Sequence, residues 1–76
     1  MRFDTASDIL AAHAPKAYAI IRGCSDYPRG DAAAKLRRLV SGDADHWEQI
    51  RPDVAKSLRA IADELSRRVN RGSACS

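Results

Sequence analysis

The chain has 76 residues and a net charge of +3, with 14 Ala against 14 residues of Leu, Ile, Val and Phe together. That length supports one small core and excludes a second domain. No run of about 18 apolar residues is present to cross a membrane, and Met1-Arg2-Phe3-Asp4 lacks the basic-then-apolar layout of an export signal, so the expected location is the cytoplasm.

The first helix is expected near residue 5, where Thr5-Ala6-Ser7-Asp8 fits a capping box. Ile9, Leu10, His13, Ala17, Ile20 and Ile21 then recur at three- and four-residue spacings. Pro15 removes a backbone donor and disfavours helix at Ala14, which predicts two short helices or one kinked one. Gly23 supplies a stop, and residues 23–30 have the chemistry of a loop. Asp31 is expected to cap a helix over 32–40, with Ala32, Leu36, Leu39 and Val40 inward and Lys35, Arg37 and Arg38 in water. Gly42 is expected to end that helix, and Asp43 to cap a brief one to Ile50, with Ala44, Trp47 and Ile50 on one face.

Pro52 fits best as the first residue of a last helix, with Asp53 favourably placed against its dipole. There Val54, Leu58, Ile61, Leu65 and Val69 step by three or four, while Asp63–Arg67 and Glu64–Arg68 are spaced i,i+4. This helix should reach about Asn70, with Gly72 just beyond. Nowhere does an alternating pattern argue for a strand. The expected fold is all-α: a small antiparallel bundle of four to five short helices with a long C-terminal helix as its spine and Trp47 as its largest core contributor. Residues 1–71 form the expected single domain and 72–76 a flexible tail.

The two cysteines, Cys24 and Cys75, are too few for a disulfide framework; free thiols are one reading, and a bridge tying the tail to the Gly23-Cys24-Ser25 turn is the other. Neither metal-ligand spacing nor a glycine-rich phosphate loop occurs, and His13, His46 and the cysteines lie far apart in sequence. The expectation is therefore no metal, no cofactor and no catalytic residue. His13 reads as a hydrogen-bonded, half-buried residue, and His46 as exposed in the first turn of its helix.

Charge is more informative. Residues 1–30 carry +4 and −3, residues 31–50 carry +3 and −4, and residues 51–76 carry +6 and −3. Arg67, Arg68 and Arg71 form a basic end that either complements the helix dipole or contacts phosphate or an acidic partner, and Arg37 and Arg38 are placed to extend it. Asp43, Asp45 and Glu48 read as helix-start acids or as a patch for an arginine-rich partner. In the loop, Asp26, Tyr27 and Arg29 present two residue types enriched in interface hot spots; the alternative is that Tyr27 folds onto the core. A helix-turn-helix around Gly42 fails the pattern, since its packing position falls near Arg38 and its second helix carries acids that repel phosphate.

Two functions remain open at this level. One is a non-enzymatic protein-binding module that regulates or inhibits a larger assembly, for which a phage inhibitor of bacterial host defence of the anti-CRISPR kind is the sharpest version. The other is a small basic DNA-binding regulator acting as a dimer through Arg67, Arg68 and Arg71. A thin core also makes a homodimer or an obligate partner a natural expectation, and a structural subunit of an oligomer held by the Val54-to-Val69 stripe is a third reading.

Overall fold

A computed structural model describes residues 1–71 of the chain. Four α-helices follow in order: α1 (Phe3–His13), α2 (Pro15–Ile21), α3 (Asp31–Glu48) and α4 (Pro52–Arg68), and a 3₁₀ turn, Val69–Arg71, closes the described part. Among the described residues there is no strand, so the fold is all-α, and none of its helices is long and apolar enough to cross a membrane. Two long helices form the frame, where one long C-terminal helix was expected.

α1 begins two residues earlier than the capping box predicts, after Arg2, whose side chain makes no capping bond. Thr5 lies inside the first turn, and the Ala6 N–H is satisfied by the Arg2 carbonyl. The pre-proline effect breaks the chain into α1 and α2. Ala14 is pushed to φ −141°, ψ 66°, and Pro15 opens α2 at a position where no N–H is required. The Ala14 amide still donates to Leu10 O, and its carbonyl accepts from Tyr18, so the break leaves these groups paired.

α3 runs unbroken for 18 residues through Gly42. The two short helices expected over 32–40 and 43–50 are thus one helix, and Gly42 is not a terminator. Burial of Val40 and Ala44 on either side of the glycine explains this, because a break would expose both from the core. Asp31 is the first helical residue rather than the cap; Gly30 precedes it with φ 64°, a conformation that favours glycine, and Asp31 instead places its charge in the first turn. His46 lies in the last turn of α3, not the first of a separate helix.

α4 starts at Pro52 with Asp53 in its first turn, as the sequence predicts. Its Val54, Leu58, Ile61 and Leu65 are buried within the chain, so this stripe is spent on the monomer core and is not free to hold an oligomer. The α3 and α4 helices lie antiparallel. At the turn the Ile50 and Arg51 amides reach back to the Trp47 carbonyl, and at the open end the Gly30 amide donates to Arg68 O at 3.0 Å. Seven alanines (6, 14, 17, 33, 44, 55 and 62) are buried between the helices, where a small side chain permits close approach. Trp47 is only half-buried at the rim of this core, and Ile50, expected on its inward face, is 57% exposed. Cys24 is not a free thiol, and the reading that pairs it with Cys75 falls, like the expected 72–76 tail, outside the described residues.

Continuity of α3 has a direct test. A Cβ added at Gly42 meets nothing within 4 Å, and the residue has no positive φ. Gly42→Ala is expected to raise stability by about 0.5–1 kcal/mol, read by denaturant unfolding, whereas a glycine in a turn would make the same change neutral or destabilising.

Candidate functional site

The described residues contain no group of three or more His, Cys, Asp and Glu placed to hold a metal ion. His13 sits at the end of α1 with its ring edge-on to Trp47 at 5.0 Å, and its Nδ1 is buried without a hydrogen-bond partner, where a bonded ring was expected. The Trp47 indole N–H donates instead to the backbone carbonyl of His13 at 2.9 Å, satisfying one of the orphan acceptors at the α1 terminus. Trp47 therefore ties α1 to α3, and His46, exposed beside it, stacks edge-on at 5.9 Å.

The loop before α3 turns its aromatic residue inward. Tyr27 is 5% exposed, its ring is edge-on to Phe3 at 5.3 Å, and its hydroxyl donates to the Met1 carbonyl at 2.7 Å. Pro28 beside it is also buried. Asp26 accepts the Tyr27 amide at 2.7 Å. Tyr27 thus fastens the N-terminus to the loop, and of the three loop residues expected at an interface, Asp26 and Arg29 face water while Tyr27 does not.

Arg68 completes this knot. Its guanidinium lies 4.7 Å from the Tyr27 ring centre, with Nε 3.4 Å from Glu64 and Nη1 3.8 Å from Asp26. The side chain is only 21% exposed. Arg67 also turns to Glu64, at 3.3 Å, an i,i+3 pair in place of the expected Asp63–Arg67 one. The Arg67 hydrogen bond, with Arg68 adding to it, holds the Glu64 carboxyl below its ordinary range. Two of the three C-terminal arginines are therefore committed inside the chain; Arg71 is the last described residue, in the 3₁₀ turn.

At the other end of the hairpin the acids are not at a helix start. Asp45 and Glu48 lie in the last turns of α3, where negative charge opposes the helix dipole, so the capping explanation for Asp43 and Asp45 does not apply. Arg59 of α4 offsets the conflict: its Nη2 is 2.6 Å from Glu48 and 3.1 Å from Asp45. Its own pKa is raised, first by the Glu48 hydrogen bond. Sequence spacing did not single out Arg59, since the bridge needs α3 to be continuous and folded back onto α4. Nearby, Arg51 pairs with Asp53 at 2.8 Å and lowers its pKa. Asp43 is half-buried on the flank of α3.

What is left uncommitted is a set of cations. Besides Lys16, Arg22 and Lys56, the exposed lysines and arginines that make no ion pair with any described residue are Arg29, Lys35, Arg37 and Arg38. Three of them stand on the first half of α3, and the fourth on the loop leading into it. No protein-family model, curated protein sequence or solved structure matches the chain.

Two outcomes check this geometry. Burial, followed by the nearby Glu64 charge, pushes the Tyr27 phenol above its ordinary 10.0. The folded state then holds its proton more tightly than the unfolded one, so the stability it contributes is complete below that value and is lost as pH rises through the folded pKa. Ultraviolet titration should show one of the two tyrosines ionising late, and Tyr27→Phe should remove that phase and cost about 0.5–1.5 kcal/mol through the lost bond to Met1. For Glu64 the sign is reversed: its lowered pKa supports folding above the ordinary carboxylate value and loses that support in acid. Glu64→Gln should flatten the acid limb of a stability profile.

Proposed function

We propose that this chain is a non-enzymatic helical protein-binding module that regulates or inhibits a larger assembly by docking the outer face of α3, with Arg29 at its edge, onto an oppositely charged protein surface. One observation carries the reading. Among the described residues no carboxylate engages the candidate cations Arg29, Arg37 and Arg38, whereas Arg67 and Arg68 are held by Glu64, Asp26 and Tyr27. Free cations on a rigid helix can meet a partner without first breaking a native pair.

The kind of partner follows from the sign pattern. Asp45 and Glu48 stand on the same helix as Arg37 and Arg38, and carboxylates beside the contact repel a phosphate backbone. A face of mixed sign complements a protein surface, where opposite charges fix the register and like charges reject other partners. An inhibitor of the anti-CRISPR kind is one form such a module takes, acting by occupancy of its target.

The test uses two arms with the purified full chain. Immobilised wild type and Arg67→Ala are expected to retain the same protein from a bacterial lysate, and the double variant R37E/R38E to lose it. Fluorescence anisotropy with random duplex DNA is expected to show weak binding at low salt that does not depend on Arg67. Tight DNA binding with a steep log-linear salt dependence, abolished by Arg67→Ala, would overturn the protein reading in favour of a DNA-binding regulator.

A further inference from the structure

The outward face of α3 is defined by the residues it buries. With Ala33, Leu36, Val40 and Ala44 inside, the opposite side carries Lys35, Arg38, Gly42 and Asp45, stepping by three and four, and all four are exposed. Along this face the charge changes sign once. On the face itself Lys35 and Arg38 lie before Ser41–Gly42 and Asp45 lies after it; Arg37, Ser41 and Glu48 share one flank of that face, and Asp43 lies on the other. Arg38 and Asp45 are equidistant from the midpoint between Ser41 and Gly42.

We propose that α3 pairs antiparallel with α3 of a second copy of this chain, crossing at Ser41–Gly42, so that Arg37 and Arg38 of each copy meet Asp45 and Glu48 of the other. A two-fold axis at the crossing makes every contact occur twice, as an isologous interface requires. Antiparallel pairing sets cations against carboxylates at both ends, while parallel pairing in register sets like against like.

Three observations support a second copy as the occupant. First, the order of charges does not serve the helix itself. Acids in the last turns oppose the dipole, and among the described residues only Arg59 offsets them. Second, both sides of the proposed pairs are available. Arg37 and Arg38 make no ion pair with described residues, and the Asp45 and Glu48 side chains remain 79% and 57% exposed while each gives one oxygen to Arg59. Third, Gly42 lowers helix propensity within α3, yet among the described residues nothing lies within 4 Å of a Cβ added there. With Ser41 beside it, that space lets a second helix backbone come close at the crossing.

The interface is one helix face, about 27 Å long at 1.5 Å per residue, and its contacts are mostly exposed charges. Pairs between exposed, solvated charges add little net affinity and are screened by salt, so the dimer is weak and salt-sensitive. The proposed docking surface lies on the same face, and self-association would exclude it. The dimer is tested on the purified chain alone, so its failure leaves the docking reading standing and the reverse also holds.

Sedimentation equilibrium of the full chain at low salt is expected to show a monomer–dimer equilibrium that shifts to monomer as salt rises. R37E/R38E makes all four meeting positions acidic and D45K/E48K makes all four basic, so each alone is expected to be monomeric. Mixed in equal amounts, the two are expected to form a one-to-one heterodimer, because both sets of pairs are restored across the two-fold axis. Gly42→Trp leaves every charge in place and is expected to weaken the wild-type dimer about tenfold or more by blocking the crossing. A wild-type chain that is monomeric at low salt up to about 1 mM would overturn the proposal. A dimer indifferent to salt and to Gly42→Trp, or a mixture of folded charge-reversed variants that stays monomeric, would do the same.

Discussion

The apolar seam between α3 and α4 is the constraint on which the other features depend. Leu36, Val40 and Ala44 from one helix and Leu58, Ile61 and Leu65 from the other are withdrawn from water together. Burying a single Leu or Ile is worth about 1.5–3 kcal/mol, against about 1 kcal/mol for a glycine within a helix. The seam therefore carries α3 straight through Gly42. With α3 continuous, the turn at residues 49–51 becomes the only reversal between the two long helices, and α1 and α2 are left to cover the apolar side of one hairpin.

Electrostatic consequences follow from the same continuity. A break at Gly42 would have put Asp43 and Asp45 at a favourable helix start. An unbroken α3 carries Asp45 and Glu48 to its C-terminal end, where they oppose the dipole, and Arg59 answers from α4. At the open end the arrangement is tighter: Arg68, half-buried over Tyr27, joins the loop to α4, and the Gly30 amide meets the Arg68 carbonyl on the same residue. Basic side chains near the end of α4 thus serve the fold, while those on α3 do not.

Local chemistry made part of this legible in the sequence. The pre-proline break at Ala14, Pro52 as the first residue of α4, and the stripe from Val54 to Leu65 all depend on steric and periodic rules that act over a few residues. Gly42 and Asp43 misled because glycine followed by aspartate has the chemistry of a helix end and a new cap, and only burial across the seam outweighs it. The Tyr27 hydroxyl bond to Met1 and the Arg59 clamp join residues 26, 14 and 11 positions apart, which periodicity does not register. Of the residues singled out for contact, Tyr27 was lost to the core and Arg68 largely to Glu64 and Tyr27. Arg29, Arg37 and Arg38 remained unpaired among the described residues; for Arg37 and Arg38 no acid stands three or four residues away on α3, which can be read without tertiary knowledge.

An exposed, mixed-sign helix face sets the manner of binding more than its strength. Rim charges raise association rates and reject wrong partners, but being solvated they add little net affinity. Lasting complexes rely on an apolar centre, and among the described residues the large exposed apolar side chains are Met1 before α1, Ile20 in α2 and Ile50 at the α3–α4 turn. Contacts of the kind proposed for α3 would form fast, dissociate quickly and weaken with salt, unless a partner brought Ile50 at the hairpin turn into the same interface. Reversible occupancy of this kind suits a chain whose thin, alanine-lined core supplies a rigid surface and little more.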